Sequence, residues 1–124
     1  MTTTIRLAMT VFDTPDPEGL ARFWSALLGW EVDPEWTSDD WVTLRKDGHT
    51  ALGFQLAPDL VRPTWPEGTV PQQAHLDLYV DDLDEAEAAT LALGATLLHA
   101  PGGDDETFRV YADPSGHPFC LCVV

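Results

Sequence analysis

The sequence predicts an α+β protein built from two tandem βαβββ modules, in a single domain covering residues 1–124. Three observations carry this. The segments MTVFDTPDPEGLARFWSALLGWEV (9–32) and HLDLYVDDLDEAEAATLALGATLL (75–98) share one layout: strand, Asp, helix of about three turns, Leu-Gly or Leu-Leu-Gly ending, new strand. Each is followed by two further strand-like runs joined by a turn sequence. An apolar content of 44% with 22% charged residues is ordinary for a globular chain, and this length buries about two-thirds of its unfolded surface.

Module one is placed at about 5–57 and module two at about 74–124. In the first, Asp16 is the N-cap of the helix and Pro17 its first residue, where a missing N–H costs nothing. Leu20, Phe23, Trp24 and Leu27 recur at helical spacing and give that helix one face for a sheet, and Gly29 ends it. Strands follow at 30–33, 41–46 and 50–57, the last two joined by the turn KDGH (46–49). The stretch 57–73 holds four prolines and reads as a linker at about 58–73, with RPTWPEG as a pocket lid.

The strand that opens module two alternates. Leu76, Leu78 and Val80 share one face; His75, Asp77 and Tyr79 share the other, the pattern of a sheet buried on one side. Asp82 caps the helix with Glu85 three residues on, Leu83, Ala86, Thr90 and Leu93 form a weaker stripe, and Gly94 ends it. Strands follow at 96–99, 107–113 and 118–124, the last two joined by DPSGH (113–117).

There are 21 acidic residues against 6 basic ones, a net charge of −15. Such a surface repels phosphate backbones and argues against nucleic acid or an anionic membrane as partner, while attracting a cationic small molecule. Solubility alone is the competing explanation. No apolar run approaches the roughly 20 residues of a membrane span, and MTTTIRL has no signal-peptide core, so a cytoplasmic location is expected. Cys120 and Cys122, two apart in one strand, read as free thiols.

The layout, together with DPEGLARFWSALLGW, HLDLYVDDLDEA and DPSGHPFCL, resembles the vicinal oxygen chelate superfamily of glyoxalase I, extradiol dioxygenases and bleomycin-resistance proteins, and within it the small glyoxalase-like domains of unassigned activity. The resemblance covers about residues 5–124 and implies that each module supplies half of the cup, with its helix on the convex side. It also implies four metal-ligand positions. Counting seven residues back from the helix caps and seven forward from Asp113 puts them at Met9, His75 and Cys120, with Gln55 at the matching end of module one.

Only His75 and the Cys120 thiolate in that set are good donors for a borderline divalent ion, since Met is a neutral thioether and Gln a neutral amide. No metal or other cofactor is therefore expected, a weakly held Cu(I) or Zn(II) being the alternative. Asp77 and Asp13 also point toward the inner face and supply a carboxylate there if the register is off by two. The inner face of strand 107–113 is expected to carry Thr107, Arg109 and Tyr111, with Phe108, Val110 and Ala112 toward the helix. Arg109 either orients an anionic or carbonyl-bearing ligand or pairs with Asp77. His117 and His49 are read as turn residues and Trp24 as core, while Trp36, Trp41 and Trp65 fall in loops or on the inner face.

The expected ligand contacts are thus His75, Gln55, Asp77, Arg109, Tyr111, Cys120, Trp41 and Trp65. Three readings follow: a small-molecule-binding protein without the usual metal, a lyase, isomerase or dioxygenase with a noncanonical site around His75, or a drug-sequestering protein of the bleomycin-resistance type. Catalytic residues are not assignable on this pattern. A homodimer is expected, because exposed sheet edges need covering and the superfamily completes its cups within a chain or between chains.

Overall fold

The computed structural model describes residues 3–47, 51–65 and 68–124, and these form two compact units, Met1–Leu60 and Val61–Val124. The proline-rich stretch from Val61 onward thus groups with the second unit. His49 of the first turn and Pro66 and Glu67 of the expected lid lie outside the described residues. No helix among the described residues is long and apolar enough to cross a membrane.

The first unit runs β1 (Met9–Thr14), α1 (Pro17–Leu28), β2 (Glu31–Val32), β3 (Trp41–Arg45) and β4 (Ala51–Leu56), a βαβββ order. Its sheet has the strand order β1-β4-β3-β2, with β1 parallel to β4 and the other pairs antiparallel. The caps are those expected: the Asp16 carboxylate accepts the Gly19 N–H at 3.0 Å, and Gly29 closes α1 at φ 72°, a left-handed conformation that glycine adopts without Cβ strain. Leu20, Ala21, Phe23 and Trp24 are buried on α1, which packs on β3 and β4. Val42, Leu44, Leu52 and Phe54 supply the sheet side, and Phe12 of β1 stacks on Phe54 with ring centroids 6.3 Å apart. Each large apolar side chain so buried contributes roughly 1.5–3 kcal/mol relative to exposure.

The second unit repeats the order: β5 (Leu76–Tyr79), α2 (Leu83–Ala92), β6 (Thr96–His99), β7 (Phe108–Ala112) and β8 (Pro118–Cys122). The sheet order β5-β8-β7-β6, with β5 parallel to β8, matches that of the first. Asp82 caps α2 by accepting the Glu85 N–H at 2.9 Å. In the turn between β7 and β8, the buried Asp113 carboxylate accepts the N–H groups of Ser115 and His117, both at 3.0 Å, so it is the His117 backbone that is held there.

The two helices are attached differently. The stripe on α2 buries only Leu83 and Thr90, whereas α1 buries five residues. Polar contacts take over from β7: Arg109 reaches Asp84 and Glu106 at 2.8 Å and Glu87 at 3.3 Å, and the Tyr111 hydroxyl donates to Glu87 at 2.8 Å. This reverses the expected facing of β7. Arg109 and Tyr111 lie on the helix side, with Arg109 opposite Leu121 and Tyr111 stacked on Phe119 at 5.6 Å. Val110, expected on the helix side, is instead the partner of Cys120. Strand FRVYA has no clean apolar face, since Arg and Tyr carry long apolar stems beneath their polar ends, and an acidic helix rewards those ends.

Candidate functional site on the faces away from the helices

On the second sheet, cross-strand register assembles a row on the face opposite α2. Asp77 of β5 lies opposite Cys120 of β8, which lies opposite Val110 of β7, which lies opposite His99 of β6. His75 precedes Asp77 by two residues and so shares its face. Its Nε2 is 3.2 Å from Asp77 Oδ1, with the two side chains 40% and 62% exposed, so the pair is open to solvent. One ligand atom each from His75, Asp77 and Cys120 lie within 4.8 Å of one another. Burial in the first place, and then the negative charge of Asp77, push the Cys120 thiol up to about 12. Near neutrality it is a protonated thiol rather than a nucleophile. Cys122, one row along, is raised for the same two reasons.

The lid tryptophan reaches this face. Trp65 packs edge-on against His99 with centroids 5.9 Å apart, and His99 in turn contacts Phe108 at 6.3 Å. Arg62 anchors the segment by donating to the Pro114 carbonyl at 2.8 Å, and a shallow cavity of about 260 Å³ lies between this segment, Thr96, Leu98 and Gly116. His99, which Trp65 touches, is two strands away from Cys120, roughly 10 Å at the usual strand spacing.

The first sheet fills the corresponding place differently. Val11, five residues before the Asp16 cap, pairs with Gly53, just as Asp77, five before Asp82, pairs with Cys120. The module-one counterpart of Cys120 is therefore Gly53. A Cβ there would meet Trp41 Cζ2 at 2.8 Å and Met9 Sδ at 3.0 Å, so an indole and a thioether cover the glycine. The ring is held by its N–H, which donates to Thr43 Oγ1 at 2.7 Å, and that buried hydroxyl donates to the Trp36 carbonyl at 2.7 Å. Gln55 lies one row further, between Asp13 and Trp41, where module two has Cys122. An open cavity of about 440 Å³ is lined by Glu35, Trp36, Thr37, Ser38 and Trp41.

These placements decide how the residues fit a metal. At the module-one positions the structure presents a thioether, a glycine under an indole, and a neutral amide, which do not fit the four-ligand arrangement implied by the resemblance. In module two His75 and Cys120 are joined by Asp77, the carboxylate that a two-residue shift supplies, and those three donors do fit a borderline divalent ion.

Of the expected ligand contacts, His75, Asp77, Cys120 and Trp65 share the face opposite α2, and Trp41 and Gln55 share the face opposite α1. Arg109 and Tyr111 face α2, and Arg109 pairs with Glu106, Asp84 and Glu87 rather than with Asp77. Sequence reasoning passed over His99. Strict alternation from Thr96 puts it on the helix side, but the register shifts between Leu97 and His99, and this bulge returns it to the row of Val110 and Cys120. It also passed over Gly53, whose one signal is a glycine inside a strand, a mark of close approach by another group.

The comparisons with known proteins agree with this architecture. The glyoxalase-like domain model matches residues 9–122. No curated protein sequence matches the chain. Among solved structures, a glyoxalase/bleomycin resistance protein/dioxygenase family enzyme from Burkholderia phytofirmans is similar with a TM-score of 0.76 at 20% identity, covering 97% of this chain and 99% of that one. The fosfomycin resistance protein FosX from Listeria monocytogenes is similar at 0.70 and 14% identity, covering 100% and 95%. A glyoxalase-related enzyme from Fulvimarina pelagi gives 0.67 at 21%, covering 96% and 88%. At these identities the structures speak to the fold, and the family model, spanning nearly the whole chain with its two βαβββ units, shows that this chain belongs to the glyoxalase-like domain family of the vicinal oxygen chelate superfamily.

Proposed function

We propose that this protein binds a small, flat organic molecule, aromatic or cationic, on the sheet faces turned away from its helices, without the superfamily's usual four-ligand metal. The observation that supports it best is the indole of Trp41 lying over Gly53, where an aromatic wall stands in place of a metal ligand. Aromatic walls with a few polar groups suit ligands of this kind, and Trp65 with His99 provides a second such surface beside the polar His75–Asp77–Cys120 group. The net charge of −15 favours cations. The same reading has the protein working in the cytoplasm as a homodimer, with no nucleic-acid or membrane partner.

The test is a panel of aromatic, cationic and dicarbonyl compounds, with bleomycin and fosfomycin included, followed by tryptophan fluorescence and melting temperature. A ligand should quench emission, and Trp41→Ala or Trp65→Ala should each weaken binding by about 1–2 kcal/mol, the scale of one stacking or cation–π contact. Affinity for a cation should fall as ionic strength rises, while a neutral ligand should be nearly indifferent. A panel that changes neither signal removes the reason for this reading. Bleomycin or fosfomycin as the sole ligand would make it a drug-sequestering protein.

One observation favours a second reading, a superfamily lyase, isomerase or dioxygenase. It is the imidazole of His75 beside the Asp77 carboxylate, which pairs a proton carrier with a base in the open face of the second sheet. Turnover of a panel compound that is lost in both His75→Gln and Asp77→Asn, with the fold intact, would select it.

A further inference from the structure

We propose that the segment between β2 and β3 is a half-cage for a quaternary ammonium group, with Trp36 and Trp41 as its aromatic walls and Glu35 as its counter-charge. The proposal rests on the ligand reading above and names the chemical group that such a ligand places against Trp41.

The backbone fixes the walls. Asp33 opens the short 3₁₀ turn Pro34–Trp36 by accepting the Glu35 N–H at 3.1 Å, and Arg45 of β3 ties down the same carboxylate at 3.3 Å. The Trp36 carbonyl accepts from the buried Thr43 hydroxyl, and the same hydroxyl accepts the Trp41 indole N–H, both at 2.7 Å. One side chain thus holds both tryptophans. Ser38 and Trp41 then pair across a tight turn, the Ser38 N–H donating to the Trp41 carbonyl at 2.8 Å. Beside them opens the cavity of about 440 Å³, lined by Glu35, Trp36, Thr37, Ser38 and Trp41. Its size falls in the range of roughly 300–1,000 Å³ usual for small-molecule sites. The Trp36 ring is held at this cavity although the residue stays 61% exposed.

The lining sets the preference. The Thr37 hydroxyl donates to the Asp33 carbonyl at 2.8 Å and accepts the Thr43 N–H at 3.3 Å, the Ser38 hydroxyl donates to Asp40 at 2.8 Å, and the Trp41 N–H is held by Thr43. These donors are engaged and do not serve an anion. The segment DPEWTSDD (33–40), with four acidic residues and no basic one, repels an anion as well. A primary ammonium gives up water at every N–H and finds one carboxylate, that of Glu35, in these walls. A quaternary ammonium has no N–H to satisfy. Its methyl groups carry the positive charge to the indole rings, whose faces attract it.

Choline and its uncharged isostere 3,3-dimethylbutan-1-ol separate charge from shape. In an NMR titration of the isotope-labelled full chain, choline should shift the indole N–H signals of Trp36 and Trp41 and leave that of the buried Trp24 in place. It should bind about tenfold more tightly than the isostere or ethanolamine. Trp36→Ala and Trp41→Ala should each weaken choline about fivefold or more, and Trp36→Phe should recover part of the loss. Glu35→Gln should lower the affinity and flatten its dependence on salt. Trp36 and Glu35 are exposed, so they carry the test if Trp41→Ala does not fold. Phosphatidylcholine vesicles should stay unbound; vesicles that bind the wild type and not Trp36→Ala would support the same site with a lipid headgroup as the source of the group. Equal affinity for choline and its isostere, or choline affinity unchanged in Trp36→Ala, overturns the half-cage. If choline fails to bind while another compound still quenches emission and is weakened by Trp41→Ala, the ammonium assignment falls and the ligand reading stands. If no compound binds, both fall.

Discussion

Replacing Arg109 with Met should lower the melting temperature by several degrees, because it removes the one cation that three carboxylates share. The guanidinium is 12% exposed and bonds Glu106, in the loop before β7, together with Asp84 and Glu87 of α2, and among the described residues the last two are the charged contacts that tie α2 to β7. Asp84 is 88% exposed and adds little, so the hold on α2 rests mainly on Glu87, whose side chain is 23% exposed. With the cation gone, these carboxylates face each other without compensation. Met retains most of the stem, so an unchanged melting temperature would show that α2 is held by packing after all. Arg109→Lys should recover part of the stability, because it keeps the charge but not the fork that reaches several carboxylates.

Acid should do the same by another route. Hydrogen bonds from Arg109 first, and from the Gly102 N–H next, hold the Glu106 carboxyl below its ordinary value of 4.5. The folded state therefore binds fewer protons than the unfolded chain in this range. The contribution is fully present above 4.5 and is lost as the pH falls from there through the lowered native value. Denaturation midpoints of the wild-type protein should fall across that window, and Arg109→Met should flatten the dependence. Equal slopes in the two proteins would detach Glu106 from the network.

Adding one methyl group at Gly53 should cost about 2 kcal/mol, an overpacking effect rather than a backbone one. The new Cβ would stand 2.8 Å from Trp41 Cζ2 and 3.0 Å from Met9 Sδ. The thioether can swing aside, but the indole is held by its bond to the buried Thr43 hydroxyl, so the ring moves only by losing that bond. Trp41 emission should shift to the red as its ring becomes more exposed. In a Trp41→Ala background, Gly53→Ala should become neutral or slightly stabilising, since a strand prefers Ala to Gly by roughly 0.5–1 kcal/mol. A Gly53→Ala variant as stable as wild type, with unchanged emission, would contradict the close contact over Gly53.

Much of the architecture is legible in the chain because the signals are local. Asp16 and Asp82 announce helix starts, Gly29 marks an end, and the strands found at 41–45, 51–56, 96–99, 108–112 and 118–122 fall within the ranges that alternation and turns suggest. His75 and Asp77 are placed on one face by alternation alone, and the structure keeps them there. The site is less legible, because its contents depend on which strand lies opposite which.

By itself, then, the sequence determined two βαβββ units, their caps, and a histidine and an aspartate that share one face of the strand that opens the second. Tertiary structure decided three further matters, each through a non-local term. Asp84 and Glu87 of α2 bond Arg109 and Tyr111 on the helix side, reversing a strand whose own pattern is ambiguous. The bulge between Leu97 and His99 turned His99 toward Trp65. Parallel register set Asp77 beside Cys120 and Val11 beside Gly53, so two units of like order carry a donor cluster on one sheet and an indole over glycine on the other. A strand's own residues set its alternation, but the backbone hydrogen bonds of its neighbours set its register, and a side chain's chemical partners follow from that register.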